Sequence, residues 1–251
     1  VLRLSSRLQE NAQFQANAAD ARSWLESTDS ALSSVNEILK RIYELTVQSV
    51  NGTLEAEDRQ KTVLEIEELR HELVNIANTT YGDRYIFGGK DTKTKVFDEA
   101  ADSWNPQIFT GNHTIVYEVG VGVTIPVNVT AQEAFGAGTA NDILANIQGL
   151  IDDMKNNDVD ALGTTWIAQL QQNMETILSC RAQVGARINR LEMTLDRLEE
   201  METNFTALKS NVEDIDVAKV ILDMKNQENI YRMALSVGAR IIQPSLMDFL
   251  N

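Results

Sequence analysis

From Phe14 onward, one stripe of small, apolar and seam-compatible residues advances by alternating steps of four and three: Phe14, Ala18, Ala21, Leu25, Thr28, Leu32, Val35, Leu39, Ile42 and Thr46. A mean period of 3.5 keeps that stripe against a partner helix, which is the coiled-coil pattern. A second stripe runs Trp166, Leu170, Asn173, Ile177, Cys180, Val184, Ile188, Leu191, Leu195, Leu198, Met201, Phe205 and Leu208. Its 4-4 step at Val184 to Ile188 is a stutter that locally relaxes supercoiling. Asn173 is polar within the seam, a placement that fixes register at some cost in stability. The predicted rod core therefore includes Leu32, Leu39, Ile42, Ile177, Val184, Leu191 and Leu195.

Turn residues divide the chain. Eight of the thirteen glycines fall between Gly82 and Gly138, with Pro106 and Pro126 among them. The flanks are rich in Leu, Ala, Gln, Glu and Asn, so they read as long helices on either side of an insertion. A helix over Val1–Val50 would be about 75 Å long, whereas a compact globule of this chain length is about 45 Å across. The pattern predicts a rod. NGT at 51–53 reads as the turn into a second helix, reaching about Asn78 and carrying Val63, Ile66, Leu69, Leu73 and Ile76. Ser210 and Glu213 in SNVE fit a capping box, which predicts a break and a separable last helix that Pro244 ends.

Between Ile115 and Val129 every odd position is apolar, the alternation of a half-buried strand. Gly111-Asn112 lies between IFT and HTIVYEV and has the composition of a two-residue hairpin turn. The predicted fold class is mainly α with a small β insertion: an elongated rod of coiled-coil-like helices from both chain halves. The expected division is residues 1–92 and 138–210 for the rod halves, 93–137 for the β-rich insertion and 211–251 for a terminal assembly segment.

Composition narrows the function. A net charge of −15 without a Lys/Arg cluster argues against nucleic acid. No apolar run approaches the roughly 20 residues of a membrane span. One cysteine, Cys180, excludes a disulfide framework, and its seam position makes it a small core residue. The nucleophile-elbow, P-loop, C-x-x-C and H-E-x-x-H patterns do not occur. His71 and His113 have no evident catalytic partner, and DEAAD at 98–102 reads as a solvated acidic loop. In VEDIDV, the acidic residues Glu213, Asp214 and Asp216 suit a first helical turn better than a metal. Five N-x-[ST] sequons, at Asn51, Asn78, Asn112, Asn128 and Asn204, read as coincidence in an Asn-rich chain. No catalytic, cofactor or metal site is expected, and no small-molecule substrate.

The chain closes on ALSVGARIIQPSLMDFLN, residues 234–251. Val237, Ile241, Ile242, Leu246, Met247, Phe249 and Leu250 are apolar, and burying them all would be worth roughly 10–20 kcal/mol as an upper bound. Membrane-surface helices carry Lys and Arg along their polar face. Here Lys219, Lys225, Arg232 and Arg240 stand against Glu213, Asp214, Asp216, Asp223 and Glu228, which makes a membrane the weakest option, and the segment reads as an assembly helix ahead of one packed on its own chain. Since VLRLSSRLQE already has helical spacing, the chain is expected to start inside an element of a longer protein.

Several stretches resemble the bacterial flagellin superfamily. RIYELTVQSVNGT (41–53) is similar to the end of its N-terminal rod helix, and SNVEDIDVAKV (210–220) to the start of its C-terminal terminal segment. NTTYGDRYIFGGKDT (78–92) and ALSVGARIIQPSLMDFLN resemble its hook–filament junction branch, the hook-associated protein 3 family. The likeness spans all but the insertion, and the family's N-terminal arm before the first rod helix is missing. The resemblance implies a rod built from both halves and terminal segments that pair at the inner tube of the filament. On that reading the missing arm and neighbouring subunits cover the apolar tail. It implies a junction adaptor, with no catalysis, between hook-associated protein 1 (FlgK) and flagellin, arranged as a ring of its own copies. It also implies export by the flagellar type III apparatus to the extracellular flagellum, with an export chaperone (FlgN) on the C-terminal segment. Flagellin itself is the alternative; the ending here lacks the Gln/Asn-rich character of flagellins.

Overall fold

The computed structural model describes residues 2–50, 56–110, 113–213 and 217–242. Helix α1 (Leu2–Val50) has 49 residues and helix α6 (Ile167–Glu213) has 47, each about 70 Å of helix. Neither contains proline, and their only glycine is Gly185, so nothing interrupts the hydrogen-bond ladder. The chain separates into two units, one of Glu10–Met201 and one of Val1–Gln9 with Glu202–Asn251.

In the Glu10–Met201 unit, α1 and α6 are antiparallel. Asn11 Nδ2 donates to the Leu198 carbonyl at 2.8 Å, Arg181 grips Asp29 at 3.0 and 3.2 Å, and Gln171 donates to the Tyr43 hydroxyl at 3.2 Å. Residue numbers rise on one helix as they fall on the other. Leu32, Leu39, Ile42, Ile177, Val184 and Leu191 are fully buried in one continuous core, and Leu195 is half-buried against it. Each such buried aliphatic contributes about 1.5–3 kcal/mol of transfer free energy. Helix α2 (Ala56–Ala77) folds back on α1, where Arg41 meets Glu65 at 2.6 Å.

Helix α4 (Ile143–Lys155) runs antiparallel to α2, joined by Arg70 to the Leu144 carbonyl at 3.3 Å and Lys155 to Glu67 at 2.6 Å. Its N-cap is Asp142, which accepts from the amides of Leu144 and Ala145. A short α5 (Val159–Ala161) and a π-helical turn (Leu162–Trp166) lead into α6. Trp166 begins the second stripe but packs over Gly149, where a Cβ would stand 2.6 Å from the indole. Its Nε1 donates to Asp153 at 2.7 Å, so this ring serves α4.

Between the helical halves lie three antiparallel pairs: β1 (Thr80–Tyr81) with β2 (Arg84–Tyr85), β3 (Phe97–Asp98) with β4 (Ser103–Trp104), and β5 (Val116–Gly120) with β6 (Val123–Pro126). Helix α3 (Ala131–Phe135) follows with a Thr130/Glu133 capping box and stops at Gly136, φ 64°. A Cβ there would lie 2.4 Å from the Asn141 carbonyl oxygen, so glycine is required by space as well as by conformation. Phe87 meets Phe135 and Phe97 meets Trp104 edge-on with centroids 5.1 and 5.0 Å apart, and Trp104 leans on Phe135 at 5.7 Å. Phe97, Val119, Ile125, Val127 and Val129 share the core of α1 and α6, so the insertion's interior is continuous with the helical one.

Three local expectations differ from what forms. The alternation from Ile115 to Val129 is not one strand: the chain reverses at Val121–Gly122, with Gly122 at φ 70°, and Val121 is 76% exposed. Around Gly111-Asn112, themselves outside the described residues, the preceding segment is a 3-10 helix, Pro106–Phe109, capped by Asn105. Proline fixes a helical φ at the first position there, which overrides strand formation. Ser210 lies inside α6, which continues to Glu213, because SNVE contains no residue that stops a helix already propagating.

Candidate assembly surface

Helix α7 (Val217–Ile242) holds the feature that water least accommodates. From Lys219 to Ala239 every side chain is exposed, and Gly238 alone is half-covered. Nine large apolar residues there are between 48% and 65% exposed: Val220, Ile221, Leu222, Met224, Ile230, Tyr231, Met233, Leu235 and Val237. At 100° per residue they fall into two stripes. Val220, Ile221, Met224, Tyr231 and Leu235 share one stripe along the whole helix. Leu222, Ile230, Met233 and Val237 make a second, on the opposite flank, from Leu222 to Val237. Covering both would gain roughly 10–15 kcal/mol, an upper bound. The charges between them are nearly balanced, and Arg232 pairs with Glu228 at 2.7 Å.

Of the residues expected to carry assembly, Val237 is 56% exposed on this helix. Ile241 and Ile242 belong to its last turn; their side chains, and Leu246, Phe249 and Leu250, lie outside the described residues. So do Asp214 and Asp216 of the acidic VEDIDV stretch.

The polar residues with a bland sequence reading have structural employment. In DEAAD, Asp102 pairs with Arg70 at 2.5 Å, Glu99 meets His71 at 3.0 Å, and Asp98 accepts the Ala100 amide. The Cys180 thiol donates to the Glu133 carbonyl at 3.1 Å; burial, then the Glu133 carboxylate, pushes it up from its ordinary range and keeps it protonated. It floors an open groove of about 460 Å³ whose other walls include Glu133, Glu175 and Arg187. Among the described residues no histidine lines this groove, and the neighbouring Glu133 carboxylate disfavours the thiolate. Among the described residues no group of three or more His, Cys, Asp or Glu is placed to hold a metal, and no helix is long and apolar enough to cross a membrane.

Two sequon asparagines turn out to be structural brackets. Asn78 Oδ1 accepts the amides of Val96 and Phe97 at 3.0 and 3.1 Å, while its Nδ2 donates to the Phe97 carbonyl at 3.0 Å. Asn128 is buried, accepts from Ile115 and donates to His113. The only sequence signal for the second was a polar residue between Val127 and Val129, at a strand end where the alternation faces inward.

The sequence model of the bacterial flagellin N-terminal helical region matches residues 1–92, and that of the C-terminal helical region matches residues 167–250. The chain belongs to the bacterial flagellin family. These matched regions contain α1 and α2 at one end and α6 and α7 at the other, so the family pattern covers both seam helices and the exposed terminal helix. Within the family, the chain is 28% identical to flagellar hook-associated protein 3 of Escherichia coli over 85% of its length and 73% of that protein's. It is 29% identical to a flagellin of Bacillus subtilis, over 81% of this chain and 68% of the other. In fold it is similar to a putative flagellar hook-associated protein from Vibrio parahaemolyticus. That likeness has a TM-score of 0.76 at 23% identity, across 84% of this chain and 94% of that one.

Proposed function

We propose that this flagellin-family chain is a structural subunit of the hook–filament junction of the bacterial flagellum, and not an enzyme. The observation that carries the reading is the likeness to hook-associated protein 3 of Escherichia coli across 85% of the chain. Two features are what a subunit between two lattices needs: a stiff helical unit and a terminal helix with apolar stripes. The junction has hook-associated protein 1 on one side and flagellin on the other, with copies of this chain in a ring between them. Val237, Ile241, Ile242, Leu246, Phe249 and Leu250 are the proposed contact residues. Export through the type III apparatus, with a chaperone (FlgN) on the C-terminal segment, would place the subunit outside the cell. A filament subunit is the second reading, favoured by the 29% identity to flagellin of Bacillus subtilis.

Immunogold labelling of intact flagella separates the two. Gold confined to the hook-proximal end of the filament supports the junction; gold along the filament overturns it. The contact residues are tested by replacing Ile242 and Leu246 with Asp in the full-length protein. Such cells should make hooks and shed flagellin monomer into the medium while still exporting the variant. Filaments of normal length with normal export would remove this segment from assembly.

A further inference from the structure

Two buried amides lie in and beside the α1–α6 seam: Asn173 on the α6 stripe and Asn36 next to Val35 of the α1 stripe. Asn36 and Asn173 are 4% and 0% exposed, and each leaves one amide atom without a protein partner. The two atoms are complementary. Asn36 presents its Oδ1, an acceptor, and Asn173 its Nδ2, a donor. Native structures pair roughly nine in ten or more of such buried groups.

Register brings them within about one helical turn of the same level. Asn36 lies seven residues after Asp29 and seven before Tyr43, so all three share one helix face. Asp29 and Tyr43 reach α6 at Arg181 and Gln171. The stretch of α6 opposite Asn36 therefore lies between those residues, and Asn173 is the buried amide within it. On its other side Asn173 Oδ1 accepts from Gln169 at 3.4 Å, and Gln169 also donates to Asn141 at 3.3 Å.

We propose that Asn36 and Asn173 form one polar layer across the seam, closed by an ordered water that donates to Asn36 Oδ1 and accepts from Asn173 Nδ2. A single water satisfies both atoms and has polar partners on two sides. The layer sets register. The flanking stripe repeats every seven residues, so sliding one helix by a heptad still lays apolar side chains on apolar ones. Sliding the asparagines apart leaves two buried amides facing hydrocarbon. Register in turn decides which residues of α1 and α6 leave this unit side by side, at Glu10 and Met201.

The test uses Asn36→Leu, Asn173→Leu and the double variant in the full chain. Urea unfolding is followed by the fluorescence of Trp24, Trp104 and Trp166, which all belong to this unit. Each single variant should lower the folding constant about tenfold, because it strands the other amide. The double variant should lose far less than the product of the two. Effects that multiply would overturn the layer. Spin labels at the exposed Lys40 and Glu175 positions, in a Cys180→Ser background, read register directly. One distance is expected with both asparagines present. In the double variant a second population should appear, displaced by about 10 Å, one heptad of rise. A single unchanged distance there would overturn the register role. In a crystal structure, density within hydrogen-bond reach of both amides is expected; amides turned to separate partners would overturn the pairing.

Discussion

Asp142→Ala should be among the most damaging single changes in this chain that leave the aliphatic core untouched. The carboxylate is 7% exposed and serves four donors. Oδ1 accepts the Leu144 and Ala145 amides at 3.1 and 3.3 Å, which caps α4. Oδ2 accepts Trp104 Nε1 at 2.6 Å and the Gly138 amide at 3.2 Å, which fixes the insertion to that helix. Losing the cap costs about 1 kcal/mol. Leaving the indole N–H unpaired costs about another 1–3 kcal/mol, since Trp104 is 9% exposed. The sum is about 2–4 kcal/mol, a large share of the stability of any domain. Asp142→Ser separates the two parts: a hydroxyl caps the helix but is too short to reach Trp104, so it should recover about 1 kcal/mol relative to alanine. Urea titration by tryptophan fluorescence and circular dichroism gives both numbers. If alanine stays within about 0.5 kcal/mol of the parent at an unchanged slope, the two halves of this junction are held by something other than Asp142.

Leu39→Asp places an unpaired charge at a fully buried seam position and should remove most of the cooperative melt, because such burial costs several kcal/mol; an unchanged melting temperature would mean that the position is not core. The Cys180 thiol, pushed above its ordinary value of 9.0 chiefly by burial, favours the folded state only while the unfolded thiol is also protonated. Stability should therefore be unaffected by this group well below pH 9.0 and fall as pH rises past it, with Cys180→Ala flattening part of that slope. A pH–stability curve identical for parent and variant would refute the assignment.

How much of this was legible depended on the range of the signal. The two seams were, because a 3.5 period is written in neighbouring residues and the partner helix only has to present another stripe. Leu32, Leu39, Val184 and Leu191 could be placed in a core without knowing what lay opposite. That the insertion is β-rich was legible too, but its pairings were not, because its ladders are short: β1 to β4 have two residues each. Two residues carry no period. Their positions are set instead by Asn78, which reaches residues 18 and 19 positions away, and by Asp142, which reaches Trp104 over 38. A side chain that satisfies a distant backbone amide looks, in sequence, like any polar residue in a loop.

The terminal helix was legible in part, since its apolar residues were visible and their partner was not. A helix packed on its own chain needs one apolar stripe; α7 has a second, from Leu222 to Val237. Two stripes on opposite flanks cannot both be satisfied by one flat neighbour. The arrangement therefore favours partners on both flanks along the helix. A 26-residue helix exposed on every side also has little but its own propensity to hold it. If the proposed assembly surface is right, ordering α7 and docking it are one equilibrium. A substitution such as Leu235→Asp, on the stripe shared with Val220 and Tyr231, should then weaken association while leaving the unfolding of the Glu10–Met201 unit unchanged. Equal loss in both would tie α7 to the core of that unit and remove the case for an external partner.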